Sequence, residues 1–262
     1  MQIATLSAAA GRAWALEGFR LLGRSPIPLL AITFMYLIML MATTLIPLLG
    51  PFAPMLLTPV MSVGVMHAVR AADRGETPTP QMLFGGFRDG GGRAWKMLLV
   101  LGGFNAAATL ATLSLSSLAD GGTLMKIATG TIQPDDPGLE DVSLVYASVV
   151  FLIAYAPLQA AMWFAPLFVA WHDMPPAKAL FFSFAGVMRN KLAFVNYLLT
   201  WFAVAFAASL LVQAMKFVLG ATPMLMSAIL SPLSLVVLTA LYCSFWPSYR
   251  DAVRDDRDRA TH

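Results

Sequence analysis

The chain has 262 residues, of which 58% are hydrophobic and only 12% are charged. Soluble domains carry about 25% charged residues, so this composition excludes an ordinary soluble domain. The formal net charge of +3 forms no continuous basic surface away from the apolar segments, which argues against a nucleic-acid-binding protein. The sequence contains one cysteine, Cys243, and therefore no internal disulfide.

The first 25 residues mix charged side chains such as Arg12, Glu17 and Arg20 with aromatic and aliphatic residues. A secretory signal has a different order, in which a short apolar core and a small-residue cleavage site follow a short basic start. We therefore expect this segment to be retained on the cytoplasmic side of a membrane.

Six apolar segments follow in chain order. A helix needs about 20 mostly apolar residues to cross the hydrocarbon core, and none of the six has an Asp, Glu, Lys or Arg in its middle. A central charge would cost at least about 2.5 kcal/mol. The sequence therefore predicts an all-α polytopic membrane protein, one membrane domain over 1–262, with spans at 27–49, 52–69, 94–118, 142–171, 192–215 and 223–246.

The connections between these spans alternate in their basic content. Of the 17 lysines and arginines, only Lys126 and Lys216 follow an odd-numbered span; the other fifteen lie before the first span or after an even-numbered one. Basic residues are retained on the cytoplasmic side of a membrane. The pattern therefore predicts that both termini are cytoplasmic, including a tail over 251–262.

The connection at 120–141 is the one long loop predicted on the opposite side. It carries five acidic residues, together with glycines and prolines. Its Asp-Asp-Pro-Gly stretch at 135–138 is more typical of a turn than of a calcium-binding loop. We expect a solvated irregular connector, and binding of a cation or a partner is the alternative.

A short motif precedes the first, third and fifth spans. In each copy an apolar pair three residues apart is followed five or six residues later by an arginine, which is Arg24, Arg93 or Arg189. This order predicts a short helix at the membrane interface, with its aromatic edge among the acyl chains and its arginine directed toward phosphate. Three hairpins, each preceded by such a helix, give repeat units of approximately 12–72, 80–172 and 177–250.

A proline between a small and an aliphatic residue marks the even-numbered spans. Pro59, Pro157 and Pro232 fit this pattern, and Pro166 adds another in the fourth span. A proline inside a span leaves a backbone carbonyl unpaired, so we expect these helices to kink where a neighbour covers the break.

Candidate functional residues within the spans are few. Asn105, Gln159 and Asn196 are expected either to form hydrogen bonds between helices or to line the path of a small solute. His67 and His172 lie near the cytoplasmic ends of even-numbered spans and are candidates for haem or metal ligands. Hydrolase, phosphate-loop and zinc-protease motifs are absent from the sequence, so it predicts no catalytic residue and no cofactor.

Basic residues near the predicted cytoplasmic interface are the sharpest polar feature. We expect a collar that binds anionic lipid headgroups, and its aromatic members are Trp14, Trp95, Trp171, Trp246 and Tyr249. Its arginines are Arg20, Arg24, Arg88, Arg93 and Arg189.

Three stretches, at 16–22, 171–184 and 242–251, resemble an uncharacterised family of six-span proteobacterial inner-membrane proteins. The likeness covers essentially the whole chain. More distantly, the chain resembles YciC-like proteins and the membrane domain joined to some glycerophosphodiester phosphodiesterases. The resemblance implies a bacterial inner membrane and supports three hairpins, but it implies no catalytic residue.

These observations favour a non-enzymatic scaffold, an accessory protein or a lipid-organising protein, with membrane lipids and other envelope proteins as partners. One alternative is a transporter or channel with a path at Asn105, Gln159 and Asn196. The other is a membrane enzyme, or a haem or metal redox protein, that uses His67 and His172.

Overall fold

The computed structural model describes residues 2–46, 50, 52–132, 142–219 and 223–254. Within these ranges, six helices are long and apolar enough to cross a membrane. They are Pro26–Thr43, Ala53–Asp73, Ala94–Asp120, Ser143–His172, Lys191–Phe217 and Ala228–Ala252. The predicted all-α polytopic fold is confirmed.

The helices of the described residues follow one another with short connections. In chain order they are α1 (Ala9–Arg24), α2 (Pro26–Thr43), α3 (Ala53–Asp73), α4 (Gly85–Gly92), α5 (Ala94–Asp120), α6 (Thr123–Ala128), α7 (Val142–Met162), α8 (Ala165–His172), α9 (Pro176–Arg189), α10 (Lys191–Leu219) and α11 (Pro223–Ala252). A 3₁₀ turn at Pro80–Phe84 precedes α4. Two-residue strands, β1 (Gln2–Ile3) and β2 (Val253–Arg254), pair antiparallel.

Each odd-numbered span follows a short helical segment, as the recurring motif predicts. α1 leads into α2, the 3₁₀ turn and α4 lead into α5, and α9 leads into α10. The second segment is interrupted, because Gly90 and Gly91 have positive φ angles of 60° and 64°. Residues other than glycine rarely adopt this left-handed backbone conformation, so the glycine run permits the turn before α5.

The fourth span, predicted over 142–171 with a kink at its prolines, is interrupted near Pro166. It consists of α7 and α8, which are separated by a turn at Trp163 and Phe164, and Pro166 is the second residue of α8. Proline cannot donate a backbone hydrogen bond and disfavours a helical residue before it. Ser183 of α9 covers the break: its Oγ accepts a hydrogen bond from the Phe164 amide at 2.9 Å and donates to the Ala160 carbonyl oxygen at 2.9 Å.

Ser183→Ala is expected to lower the free energy of unfolding by about 1–3 kcal/mol, because it leaves a buried amide and a buried carbonyl without this partner. Thermal unfolding in mild detergent measures the effect. Ser114→Ala is the matched control, because Ser114 is exposed and donates only to the Leu110 carbonyl of its own helix. Equal melting temperatures for the two variants would contradict this role for Ser183.

The connection predicted as irregular contains a helix. Within 120–132, α6 begins just after Asp120, whose carboxylate accepts hydrogen bonds from the amides of Gly122 at 2.8 Å and Leu124 at 2.6 Å. A carboxylate at this position satisfies amides that a helix start leaves unpaired. The remaining acidic residues of the loop, Asp135, Asp136, Glu140 and Asp141, lie outside the described residues.

The chain forms two compact units. The first comprises the described residues within Met1–Ile38, Met61–Gly85 and Gly186–His262. In it, α1 packs against both α10 and α11, and the two short strands join the chain ends. The second comprises those within Met39–Val60 and Gly86–Ala185, where α5 packs against α6, α7 and α8.

In the first unit, α1 approaches α10 and α11 at backbone distance. A Cβ atom on Gly11 would collide with the Ala193 carbonyl oxygen and the Tyr197 amide of α10, and one on Gly18 with the Ala240 carbonyl oxygen of α11. Trp14, between the two glycines, has no exposed surface. α1 is therefore a packed structural element of the first unit.

Candidate functional site

A network of charged and indole side chains joins α1, α3 and α11 within the first unit. We call it the charge network, and its members are Trp14, Glu17, Arg24, Asp73, Trp246, Arg250 and Asp251. Each member lies near the end of a helix or on α1, where an apolar span gives way to polar residues.

Asp73, the last residue of α3, is the central acceptor. Its Oδ1 accepts from Arg24 Nη1 at 2.9 Å, and its Oδ2 accepts from Trp246 Nε1 at 2.8 Å and from Arg250 Nη1 at 3.4 Å. Arg24 Nη1 also donates to the Asp73 carbonyl oxygen at 3.0 Å. A cation at the end of a helix stabilises the unpaired carbonyls and the negative end of the dipole, so Arg24 caps α3.

Arg250 extends the network to α1. It forms a two-pronged ion pair with Glu17, with Nη1–Oε1 at 2.9 Å and Nη2–Oε2 at 3.1 Å, and its Nε donates to Asp251 Oδ1 at 3.1 Å. Asp251 Oδ2 accepts from Trp14 Nε1 at 2.9 Å. Paired geometry of this kind is the strongest form of an arginine–carboxylate contact.

The charge network changes how two predicted groups are used. Arg24, predicted to contact a headgroup, has its guanidinium held by Asp73. Trp14 and Trp246, predicted as interfacial aromatics, are buried and donate to carboxylates. The Arg70 guanidinium also lies 5.6 Å from the Trp246 ring centre. These side chains therefore hold helices of the first unit together.

The other four predicted headgroup residues are exposed: Arg20, Arg88, Arg93 and Arg189. Arg93 Nε donates to the Gly90 carbonyl at 3.3 Å, and Arg189 Nε donates to Thr5 Oγ1 at 2.7 Å. No carboxylate within the described ranges lies at ion-pair distance from any of the four. Arg88 and Arg93 flank the left-handed glycine turn before α5.

Asn190 anchors the N-terminal segment. Its Oδ1 accepts from the Leu6 amide at 2.8 Å, and its Nδ2 donates to the carbonyls of Ala4 at 2.9 Å and Gly186 at 3.0 Å. The side chain is buried, and both its carboxamide oxygen and its carboxamide nitrogen have hydrogen-bond partners. Asn190 was not among the predicted site residues.

The three polar candidates within the spans fall in both units. Asn105 and Gln159 belong to the second unit and Asn196 to the first, and all three are half-buried. Asn105 Oδ1 and Thr109 Oγ1, one helical turn apart on α5, are buried and have no hydrogen-bond partner among the described residues. Such groups are rare in a folded protein and costly in a membrane, and Thr109 was not predicted.

The two histidines also belong to different units. His67 lies against Gly85 in the first unit, and the His172 ring lies edge-on to Phe168 in the second, with 6.1 Å between ring centres. Across the part of the chain that the structure describes, no group of three or more His, Cys, Asp or Glu side chains is arranged to hold a metal ion.

Comparison with known proteins identifies a relative over nearly the whole chain. A protein of Burkholderia thailandensis, named a probable inner membrane protein, is 39% identical over 254 residues, which cover 95% of this chain and 93% of the relative. No protein-family model matches the sequence, and no solved structure matches the fold. At this identity and coverage the two proteins share one family, and with its six apolar helices the chain belongs to this family of multi-pass inner-membrane proteins.

Proposed function

We propose that the protein is a non-enzymatic, lipid-organising component of the inner membrane that binds anionic headgroups through exposed arginines. The observation that carries the proposal is a contrast between two sets of arginines. Arg24 and Arg250 are neutralised by carboxylates, whereas Arg20, Arg88, Arg93 and Arg189 are exposed and form no ion pair among the described residues.

The topology supports this proposal. Successive spans cross a membrane in opposite directions, so the beginnings of the first, third and fifth spans share one side. Arg20, Arg88, Arg93 and Arg189 all lie just before one of these beginnings. Under the positive-inside rule this side is cytoplasmic. The anionic lipids of the cytoplasmic leaflet contribute about 1 kcal/mol of favourable interaction energy for each basic residue near the surface.

The exposed face of α9 has the character of an interfacial helix. Phe181, Phe184 and Met188 are exposed along it, with Lys178 near one end and Arg189 at the other. Apolar side chains on such a face enter the acyl boundary while basic side chains reach phosphate. We propose this orientation for α9, with both chain termini in the cytoplasm.

A green fluorescent protein fused after residue 262 should then fluoresce. An intact fusion protein that does not fluoresce would contradict the cytoplasmic position of the C-terminus.

Arg88→Gln/Arg93→Gln is expected to weaken binding of phosphatidylglycerol or cardiolipin about tenfold or more, because two basic contacts of about 1 kcal/mol each are removed. Native mass spectrometry of the detergent-purified protein counts the bound lipids and gives their affinity. Phosphatidylcholine, which has no net charge, should bind equally to both proteins.

Lys126→Gln/Lys216→Gln is the matched control for that experiment. It removes the same charge from two exposed side chains on the predicted opposite side, and it should leave the affinity unchanged. Equal losses in the two double variants would indicate a net-charge effect, and no loss in either would exclude headgroup binding by Arg88 and Arg93.

Passage of a small polar solute is the second candidate function, and the unsatisfied Asn105 and Thr109 oxygens favour it. An exchange of hydrogen bonds with a solute would compensate these groups inside the span. This candidate function is tested by comparing the flux of small sugars, amino acids or ions into proteoliposomes that contain the unmodified protein or the Asn105→Leu/Thr109→Val variant. Absence of flux in the unmodified protein, or flux unchanged in the variant, would exclude this path.

A further inference from the structure

Residues Gln2–Leu6 form an extended segment, here called the N-terminal strap, that joins two distant parts of the first unit. On one side Gln2 and Ile3 pair with Arg254 and Val253, and the Ala4 amide donates to the Ala252 carbonyl at 2.9 Å. On the other side the strap is held by Arg189 and Asn190, at the junction of α9 and α10.

The contacts of the strap are mainly hydrogen bonds. Each of its residues is exposed or only half-buried, so its release removes little apolar surface from contact with the protein. A segment with few buried apolar contacts opens at a smaller free-energy cost than global unfolding. The strap can therefore leave its place while α1, α10 and α11 remain packed.

The strap occupies the groups that a phosphate would use at this junction. Arg189 Nε donates to Thr5 Oγ1 at 2.7 Å, so the edge of the guanidinium that carries Nε is taken; bidentate binding on that edge needs both Nε and a neighbouring Nη. Asn190 Nδ2 is likewise committed to Ala4 and Gly186. The exposed Lys191 follows directly.

We propose that the N-terminal strap regulates the headgroup site at Arg189: release of the strap frees the Nε edge of Arg189 and the Asn190 amide for an anionic lipid phosphate. The inference rests on the proposed function, because it assigns a control element to one of its sites. Lipid and strap then compete for the same donors. By linkage, anionic lipid favours the open strap, and loss of the strap favours lipid binding to the same degree.

Hydrogen–deuterium exchange of the whole protein in nanodiscs tests the first half of this linkage. In phosphatidylcholine alone the Ala4 and Leu6 amides should be protected. With phosphatidylglycerol added, their exchange should accelerate severalfold, and Arg189→Gln should abolish that acceleration. Exchange that does not respond to phosphatidylglycerol would overturn the proposal.

Thr5→Val tests the second half, because it removes the oxygen that holds Arg189 Nε and nearly preserves the side-chain shape. We expect a two- to fivefold gain in phosphatidylglycerol affinity, lost again in Thr5→Val/Arg189→Gln. Ser7→Ala, just outside the strap, should change nothing. Deletion of residues 2–6 should raise the affinity at least as much as Thr5→Val, and unchanged or weaker binding in both would refute control by the strap.

The two proposals fail in different ways. If the strap has only a structural role, Arg88→Gln/Arg93→Gln still weakens lipid binding while Thr5→Val and the deletion have no effect. If headgroup binding itself is wrong, none of the arginine variants changes the affinity, and phosphatidylglycerol leaves strap exchange unaltered.

Discussion

Gly11→Ala and Gly18→Ala are each expected to destabilise the protein by about 2–3 kcal/mol, at the upper end of the usual cost of overpacking. The added methyl group meets backbone atoms of α10 or α11, and backbone within a packed helix cannot turn aside as a side chain can. α1 must therefore move outward. That movement separates the Trp14 ring from Phe194 and Tyr197, whose ring centres lie 5.4 and 6.3 Å away.

Gly23→Ala is the matched control on the same helix. A Cβ atom there meets no atom within 4 Å, so only helix propensity changes, and alanine is favoured over glycine by about 0.5–1 kcal/mol. Thermal unfolding in one detergent, followed by tryptophan fluorescence, measures the melting temperature of each variant. Relative to the unmodified protein, we expect a lower melting temperature for Gly11→Ala and Gly18→Ala and an equal or higher one for Gly23→Ala. The same melting temperature for all three would mean that α1 is not packed between α10 and α11.

Asp73→Ala is expected to lower the free energy of unfolding by about 2–3 kcal/mol. It removes the acceptor of three donors, among them the indole N–H of the buried Trp246, and hydrogen bonds to a charged group contribute about 1.5–3 kcal/mol each before solvent screening. The total stays below the sum because the Arg24 and Arg250 side chains are 47% and 38% exposed and solvent weakens such pairs.

Chemical denaturation in mixed micelles measures this loss, and Glu76→Ala is its control. Glu76 is an exposed carboxylate in the same connection, and no side-chain hydrogen bond or ion pair joins it to other described residues. A double-mutant cycle between Asp73→Ala and Arg250→Ala isolates their coupling. A coupling energy near zero, or an equal loss in Glu76→Ala, would show that the charge network does not stabilise the fold.

The length of the apolar segments and the absence of charges in their middle were sufficient to predict the spans. The first, third and fifth spans begin within one residue of their predicted positions, because membrane insertion depends on local apolar length. The break between α7 and α8 needed more than its proline: the Ser183 hydroxyl that covers it comes from another helix, and sequence alone does not show which helix will lie there.

The candidate site was less predictable, since its contacts join distant parts of the chain. Asp251 and Trp14 are 237 positions apart, and Asp73 and Trp246 are 173 apart. A local motif correctly locates Arg24 at the end of a helix, but it cannot show that Asp73 neutralises it. No local signal singles out Asp73, since Glu76 and Asp89 lie in the same connection.

The position of α1 also has a consequence for biosynthesis. Its neighbours α10 and α11 are synthesised long after α1, and at about 5–20 residues per second the wait is on the order of 10 s or more. During that interval the buried side of α1, with Trp14, Leu21 and Leu22, lacks the packing that α10 and α11 provide. Translation of α10 and α11 therefore completes the packing around α1, and a nascent chain that stalls before them would present this apolar face to chaperones and membrane proteases.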